Sequence, residues 1–269
     1  MNKKILTEIN IYPVKSLGGF KVSKGIIEKR GLKHDRRWLL INEQSDFMTQ
    51  RDYPQMTLLK AEVESENLVL SSKKNPSDKF ILNINSFSPE VVNVPIWDDR
   101  CDANLINKEV DEWLSDHLKT NCRIVYMPES TSREVDKKYA HNNEIVSFAD
   151  AYPFLIIGQS SLDELNRRME TSLPMNRFRT NFVFTGGDPF EEDTWGKFRM
   201  GELIFHAVKP CARCVITTTD QDTAERAHEP LKTLATFRKQ DGKVMFGQNL
   251  LCESTGIVNI GDEIVLINN

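Results

Sequence analysis

Two thiols, Cys211 and Cys214, enclose a small residue and a cation in the run Lys209-Pro210-Cys211-Ala212-Arg213-Cys214. Thiolates bind soft metals and attack disulfides, so the pair offers either ligand or redox chemistry. The residues that follow, Val215-Ile216-Thr217-Thr218-Thr219, are β-branched, crowd a helix and suit a pleated surface. Cys214 is therefore expected where a loop enters a strand. A thioredoxin-type pair opens a helix, whose N-terminal dipole favours the thiolate, and no helix is expected here. The pair reads as a loop-borne ligand site rather than a dithiol switch. Structural zinc wants four ligands, usually from two close pairs. Cys101, Cys122 and Cys252 are scattered, and His34, His117, His141, His206 and His228 offer no close histidine pair. A composite zinc site and two inert buried cysteines stay open as alternatives. A soft metal whose remaining ligands come from a cofactor needs only one thiolate.

Cations form the second chemical group. Lys15, Arg36, Arg51, Arg179 and Arg213 fall in loops at the ends of apolar strands, although the net charge is -4. Singly, each reads as a surface or snorkelling side chain. Converging, they would build an anion pocket whose arginine forks match phosphate oxygens. Spacing along the chain does not show convergence. No dinucleotide-binding glycine fingerprint, P-loop or nucleophile elbow is present. Glu191-Glu192-Asp193 reads as a solvated acidic turn, and Trp38 and Trp195 as core or pocket-wall aromatics.

The elements that must position these groups are mostly short strands. Strand patterns run over residues 5–14, 38–41, 58–70, 80–84, 91–97, 122–126, 154–157, 182–184, 203–208, near 250 and over 263–267, with turn signals between them. Gly18 and Gly19 allow close backbone approach by a ligand or another strand. Asn107 caps a helix to about Leu118, with Val110, Trp113, Leu114 and Leu118 on one face. Ser161-Leu162-Asp163-Glu164 reads as a capping box opening a second helix to about Met169. Pro230 opens a third, with Leu231, Leu234 and Phe237 inward. With 269 residues, one large or two modest domains are accessible. The polar stretch 127–145 is the best linker or long excursion, dividing 1–126 from 146–269. The class is mixed but β-rich (α+β), a barrel with peripheral helices. No signal-peptide core or spanning helix can be built, and five cysteines with one close pair make no secreted disulfide framework. A cytoplasmic protein with reduced thiols is expected. The near-neutral charge gives no field for nucleic acid or an acidic membrane.

Seven segments, in order along nearly the whole chain, carry a family resemblance. They are Tyr12-Pro13-Val14-Lys15-Ser16, Asp35-Arg36-Arg37-Trp38-Leu39-Leu40-Ile41-Asn42 and Met48-Thr49-Gln50-Arg51. Pro153-Phe154-Leu155-Ile156, Phe178-Arg179-Thr180-Asn181, Cys211 through Asp220, and Phe246-Gly247-Gln248 complete the set. The sequence resembles MOSC-domain proteins, above all the amidoxime-reducing components and their bacterial relatives. The resemblance implies a MOSC N-terminal β-barrel domain followed by a MOSC core like the pyruvate-kinase β-barrel. It implies a molybdenum cofactor with a cysteine thiolate ligand, placed on Cys214 with Cys211 as the alternative. Lys15, Ser16, Arg36, Arg179 and Arg213 match positions that hold the pterin and its phosphate, with Arg51 and Asn181 in the second rank. The implied activity is two-electron reduction of small N-hydroxylated compounds such as amidoximes and hydroxylamines. Electrons would come from a separate ferredoxin-like or cytochrome b5-like partner with its reductase, with no membrane or nucleic acid involved. A non-catalytic carrier of molybdenum cofactor or its sulfur is the alternative.

Overall fold

The structure is a computed structural model and describes residues 3–267. Seven strands close into a barrel, in the order Phe154–Gly158, Phe182–Thr185, Lys4–Ile11, Glu263–Leu266, Lys197–Met200, Leu203–Ala212 and Lys243–Cys252. Closure comes from Lys243–Cys252 returning to the first of these, with Leu250 opposite Phe154 and Gln248 opposite Ile156. A closed sheet leaves no unpaired edge along this path. Alternation does the rest. Leu6, Ile9, Ile156, Phe182, Phe184, Phe198, Phe205, Leu250 and Ile264 fill one core cluster. Phe205 meets Phe154 and Phe182 edge-on, at 5.7 and 5.9 Å. Each such ring contributes about 1.5–3 kcal/mol through burial. The β-rich expectation with peripheral helices holds.

The chain's two ends are shared across the molecule. Lys4–Ile11 pairs with Phe182–Thr185 and with Glu263–Leu266, so the barrel takes a strand from the amino terminus. Reciprocally, Gly256–Asn259 pairs with Lys24–Glu28. Further early strands form a four-stranded sheet, Trp38–Ile41, Arg123–Tyr126, Asp99–Leu105 and Val91–Ile96, and a meander of Leu59–Glu64, Asn67–Ser72 and Lys79–Asn83. Gly19 serves the chain's own approach: a Cβ there would stand 2.2 Å from the Ile11 carbonyl oxygen.

Helix reading succeeds at Asn107 and at Pro230, where Leu231–Leu234 is helical, and fails once in an instructive way. Asn107 accepts the Val110 amide and caps Lys108–Leu118, as its sequence predicts. The supposed capping box is not one. The helix begins three residues earlier, Gln159–Arg167 with Gly158 at its N-cap, and Ser161 lies inside it. Its hydroxyl donates to buried Glu192 at 2.8 Å and accepts the Phe190 amide at 2.7 Å. Glu191-Glu192-Asp193 is accordingly no solvated turn. Glu192 is fully buried and also accepts the Gly158 amide, Glu191 pairs with Lys4, and Asp193 accepts from Arg238 and Gln248. Burial raises the Glu192 pKa, against these hydrogen bonds, which lower it. Residues 127–145 are anchored rather than loose: Val135 joins Val146, Ala149, Tyr152 and Leu251 in a small core.

Candidate functional site

Alternation in the barrel wall creates the site. Leu155 and Asn249 are cross-strand partners lying between core residues, so they face outward. Against this outer wall three loops and one strand end converge. The turn after Lys4–Ile11 brings Lys15 and Ser16, and the 149–152 turn brings Asp150. The short 3₁₀ turn Met175–Phe178 brings Arg177 and delivers Arg179 and Asn181, while the end of Leu203–Ala212 carries Cys211 and leads to Arg213 and Cys214. With Arg36 and Arg51, all nine residues singled out from the sequence line one cavity.

The cysteine loop departs from expectation. The strand preceding it runs on to Ala212, so Cys211 lies within it, beside a bulge opposite Gln248 and Met245. Cys214 does not enter a strand; it precedes a 3₁₀ turn, Val215–Thr218. Threonine hydroxyls explain the reversal of propensity. Thr217 donates to the Cys214 carbonyl and Thr218 to the Val215 carbonyl, at 3.0 and 2.8 Å, which ties the backbone locally. Both thiols are half-buried, so neither is a sealed core residue. Arg213 reaches back from between them, donating to Cys211 Sγ at 2.9 Å and to the Phe178 carbonyl.

Charge in the cavity is lopsided. Lys15, Arg36, Arg51, Arg177, Arg179 and Arg213 line it against a single lining carboxylate, Asp150. Asp150 accepts from Lys15 Nζ at 2.6 Å and lies 3.7 Å from Arg51. Desolvation acts to raise its pKa, but the Lys15 ammonium and Arg51 outweigh it and hold the carboxyl well below the usual range. Burial lowers the Lys15 pKa, with Asp150 opposing. Burial, then the neighbouring Arg36, brings the Arg179 pKa down to about 10. The Arg36 and Arg179 guanidinium groups each lie over the Tyr12 ring, at 4.6 and 4.4 Å. Arg179 donates one nitrogen to the Leu17 carbonyl at 2.6 Å, while Nη2 is buried with no partner. Arg213 Nε and Arg177 Nε are likewise buried and unpaired. Buried guanidinium donors left open are costly unless an anion meets them.

Backbone strain marks the same residues. Ser16, Arg36 and Arg179 adopt φ of 67°, 50° and 52°, the left-handed region that favours glycine. Three such residues around one cavity point to a site whose side-chain directions outrank local comfort. Asn181 sits in the wall but spends its amide on the fold, accepting from Leu155 N and donating to the Asn10 carbonyl, each at 3.2 Å. Asp150, Arg177 and Tyr12 were missing from the sequence-derived site. Arg177 alternates with Arg179 about Phe178 and carried that signal; Asp150 carried none. Among the described residues, no group of three or more histidine, cysteine or acidic side chains could hold a metal alone. The orphaned donors, the cation excess and two accessible thiols fit an anionic, phosphate-bearing group with a thiolate-bound soft metal.

Comparison with known proteins gives the family. The MOSC N-terminal beta barrel domain model matches residues 3–121, and the MOSC domain model matches residues 143–265. The chain is 32% identical to mitochondrial amidoxime-reducing component 1 of Mus musculus, over 97% of this chain and 82% of that one. The Homo sapiens counterpart is 29% identical over the same shares. Molybdenum cofactor sulfurase of Arabidopsis thaliana is 30% identical over 92% of this chain, which spans only 33% of that protein. A chain that matches both models in order, and most of an amidoxime-reducing component's length, belongs to the MOSC family of molybdenum-cofactor-related proteins.

Proposed function

We propose that this protein is a molybdenum-cofactor-dependent oxidoreductase that reduces small N-hydroxylated compounds, amidoximes and hydroxylamines, with electrons from a separate protein. The observation that carries the reading is the cavity in which Cys211 and Cys214 face six cations, with buried guanidinium donors of Arg179 and Arg213 unpaired. The likeness to amidoxime-reducing components supplies the substrate class. When bound, such a cofactor supplies two-electron redox chemistry at the metal.

The chain's own residues then have distinct tasks. Cys214 is the thiolate ligand, and Cys211, already held by Arg213, is the alternative. Arg179, Arg36 and Arg213 offer donors to phosphate and pterin oxygens; Lys15 and Ser16 close the same side. Asp150, held ionised by Lys15 and Arg51, is placed to keep an amidinium-like product oriented. The donor of electrons is ferredoxin-like or cytochrome b5-like with its reductase, and the compartment is the cytoplasm. No helix among the described residues is long and apolar enough to cross a membrane.

Likeness to cofactor sulfurases favours a second reading, a carrier that binds the cofactor or its sulfur without turnover. Protein purified from a host that makes the cofactor decides between them. Near-stoichiometric molybdenum and pterin with viologen-driven reduction of benzamidoxime supports the enzyme. Full cofactor without turnover on any amidoxime or hydroxylamine supports the carrier, and absence of molybdenum from cofactor-replete cells removes both.

A further inference from the structure

Val91–Ile96 and Asp99–Leu105 form a hairpin whose loop is the dipeptide Trp97-Asp98, with Asp99 opposite Ile96. The sequence placed Trp97 at the end of the strand; the structure puts it in the turn, at φ 57°. Two-residue hairpin loops favour glycine, asparagine or aspartate at such a position, because a bulky side chain is strained there. The ring is not hidden to compensate. Trp97 is 46% exposed. A turn needed only to reverse the chain would not keep a strained tryptophan in solvent.

Its neighbours give its direction. The Arg51 guanidinium lies over the Trp97 ring at 4.6 Å, and Phe47 meets it edge-on at 5.2 Å. Arg51 lines the cysteine cavity and lies 3.7 Å from Asp150, while Phe47 is 5.9 Å from Lys15 Nζ. Two rings from outside the barrel therefore stand against two cations of the cavity wall. Trp97 itself is not in that wall. It adds an open aromatic surface beside it, held in place by the Arg51 stack.

We propose that Trp97, oriented by Arg51 and Phe47, is a stacking platform at the cavity mouth that selects N-hydroxylated substrates bearing a planar aromatic group over aliphatic ones. The inference rests on the reductase reading and adds a specificity determinant to it. An aryl amidoxime places its polar group toward Asp150 and the thiols and its ring on the indole. A methyl group in place of the aryl ring forfeits the stacking and keeps the polar contacts.

Benzamidoxime and acetamidoxime, titrated calorimetrically into the cofactor-loaded protein, test this. Trp97→Gly relieves the turn's positive φ but loses the Arg51 and Phe47 contacts, so its thermal unfolding is measured beside its binding. The ratio of benzamidoxime to acetamidoxime affinity falls roughly tenfold in this variant, as expected for one lost aromatic stack. Trp97→Phe recovers most of that ratio. A ratio unchanged in Trp97→Gly, equal losses for both ligands, or no preference for the aryl ligand in the native protein overturns the platform. Aryl preference that depends on Trp97 without viologen-driven turnover leaves the platform standing and sinks the reductase reading.

Discussion

Arg36 and Arg37 are neighbours in sequence and serve opposite kinds of environment. Arg37 turns toward the 127–150 segment, donating to the Met127 carbonyl at 2.6 Å and to Glu129 at 2.7 Å. Arg133 continues that side: its nitrogens reach Asp99, the Ser147 and Ala149 carbonyls and the Asp150 carbonyl. Arg36 turns the other way, to Asp35, the Arg179 carbonyl and the cavity. Beyond it Arg179 and Arg213 keep buried donors unpaired. Arg133 is the closed set: every nitrogen is met by the protein's own oxygens, and the residue holds a loop down. Arg37 gives Nη2 to the same segment but keeps its Nε buried and unpaired. Arg179 and Arg213 form the open set, because their unpaired nitrogens belong to residues that line the cavity. Partner supply beside a cavity, not burial alone, separates a structural arginine from a binding one.

The largest expected break in this contrast is at the ligand. Cys214→Ser lowers molybdenum retention and benzamidoxime reduction by more than about a hundredfold, whereas Cys211→Ser is milder, since losses beyond an outer ligand are expected only for the metal's own. Metal analysis beside turnover reads both, and the reverse ranking moves the ligand to Cys211. Next comes the closed set. Arg133→Ala costs about 2–3 kcal/mol of folding stability, because charged hydrogen bonds are lost and carbonyls are left buried. Urea unfolding of cofactor-free protein checks it, and an unchanged midpoint would show that the 127–150 segment needs no clasp.

Arg179→Ala should invert that pattern. Cofactor-free stability changes by less than about 1 kcal/mol, since loss of the Leu17 hydrogen bond and the Tyr12 contact is offset by removal of the buried, unpaired Nη2, while cofactor binding weakens by about 1.5–3 kcal/mol. Thermal unfolding with and without cofactor measures the two effects; destabilisation of the cofactor-free form would place Arg179 in the closed set. The smallest effect concerns the loop that carries both arginines. His34 sits there with its pKa lowered from 6.5 to about 4 by burial, then by Lys33 and Arg37. The unfolded chain therefore binds a proton that the folded one refuses, and stability falls as pH drops from 6.5 toward 4. His34→Asn, which tolerates the left-handed φ of 70° at this position, removes that part of the acid sensitivity. Matching pH profiles for the two proteins would show that His34 does not set it.

Helix capping at Asn107 and the buried strand Trp38–Ile41 were legible because their signals are local: one side chain bonding an amide three residues on, and four consecutive apolar residues. Ser161 was misread because its hydroxyl found a better partner in Glu192, thirty-one positions away. The acidic run was misread for the same reason, its partners Lys4, Ser161 and Arg238 being remote in sequence. At Val215–Thr218 the branched side chains argued for a strand, and local hydroxyl-to-carbonyl bonds won.

Residue types alone determined what chemistry was on offer: two thiols in one short run, cations at strand ends, and alternating apolar strands enough for a β-rich fold. They also carried the family likeness, since ordered motifs survive in one dimension. Tertiary structure alone decided that Lys15, Arg36, Arg51, Arg179 and Arg213 share one cavity with both cysteines, and that Asp150 and Arg177 join them. It decided which arginines are answered and which are not, and it turned Trp97 outward beside Arg51. Charge converges and hydrogen bonds close through space, between loops that barrel closure brings together, and no spacing along the chain encodes that distance.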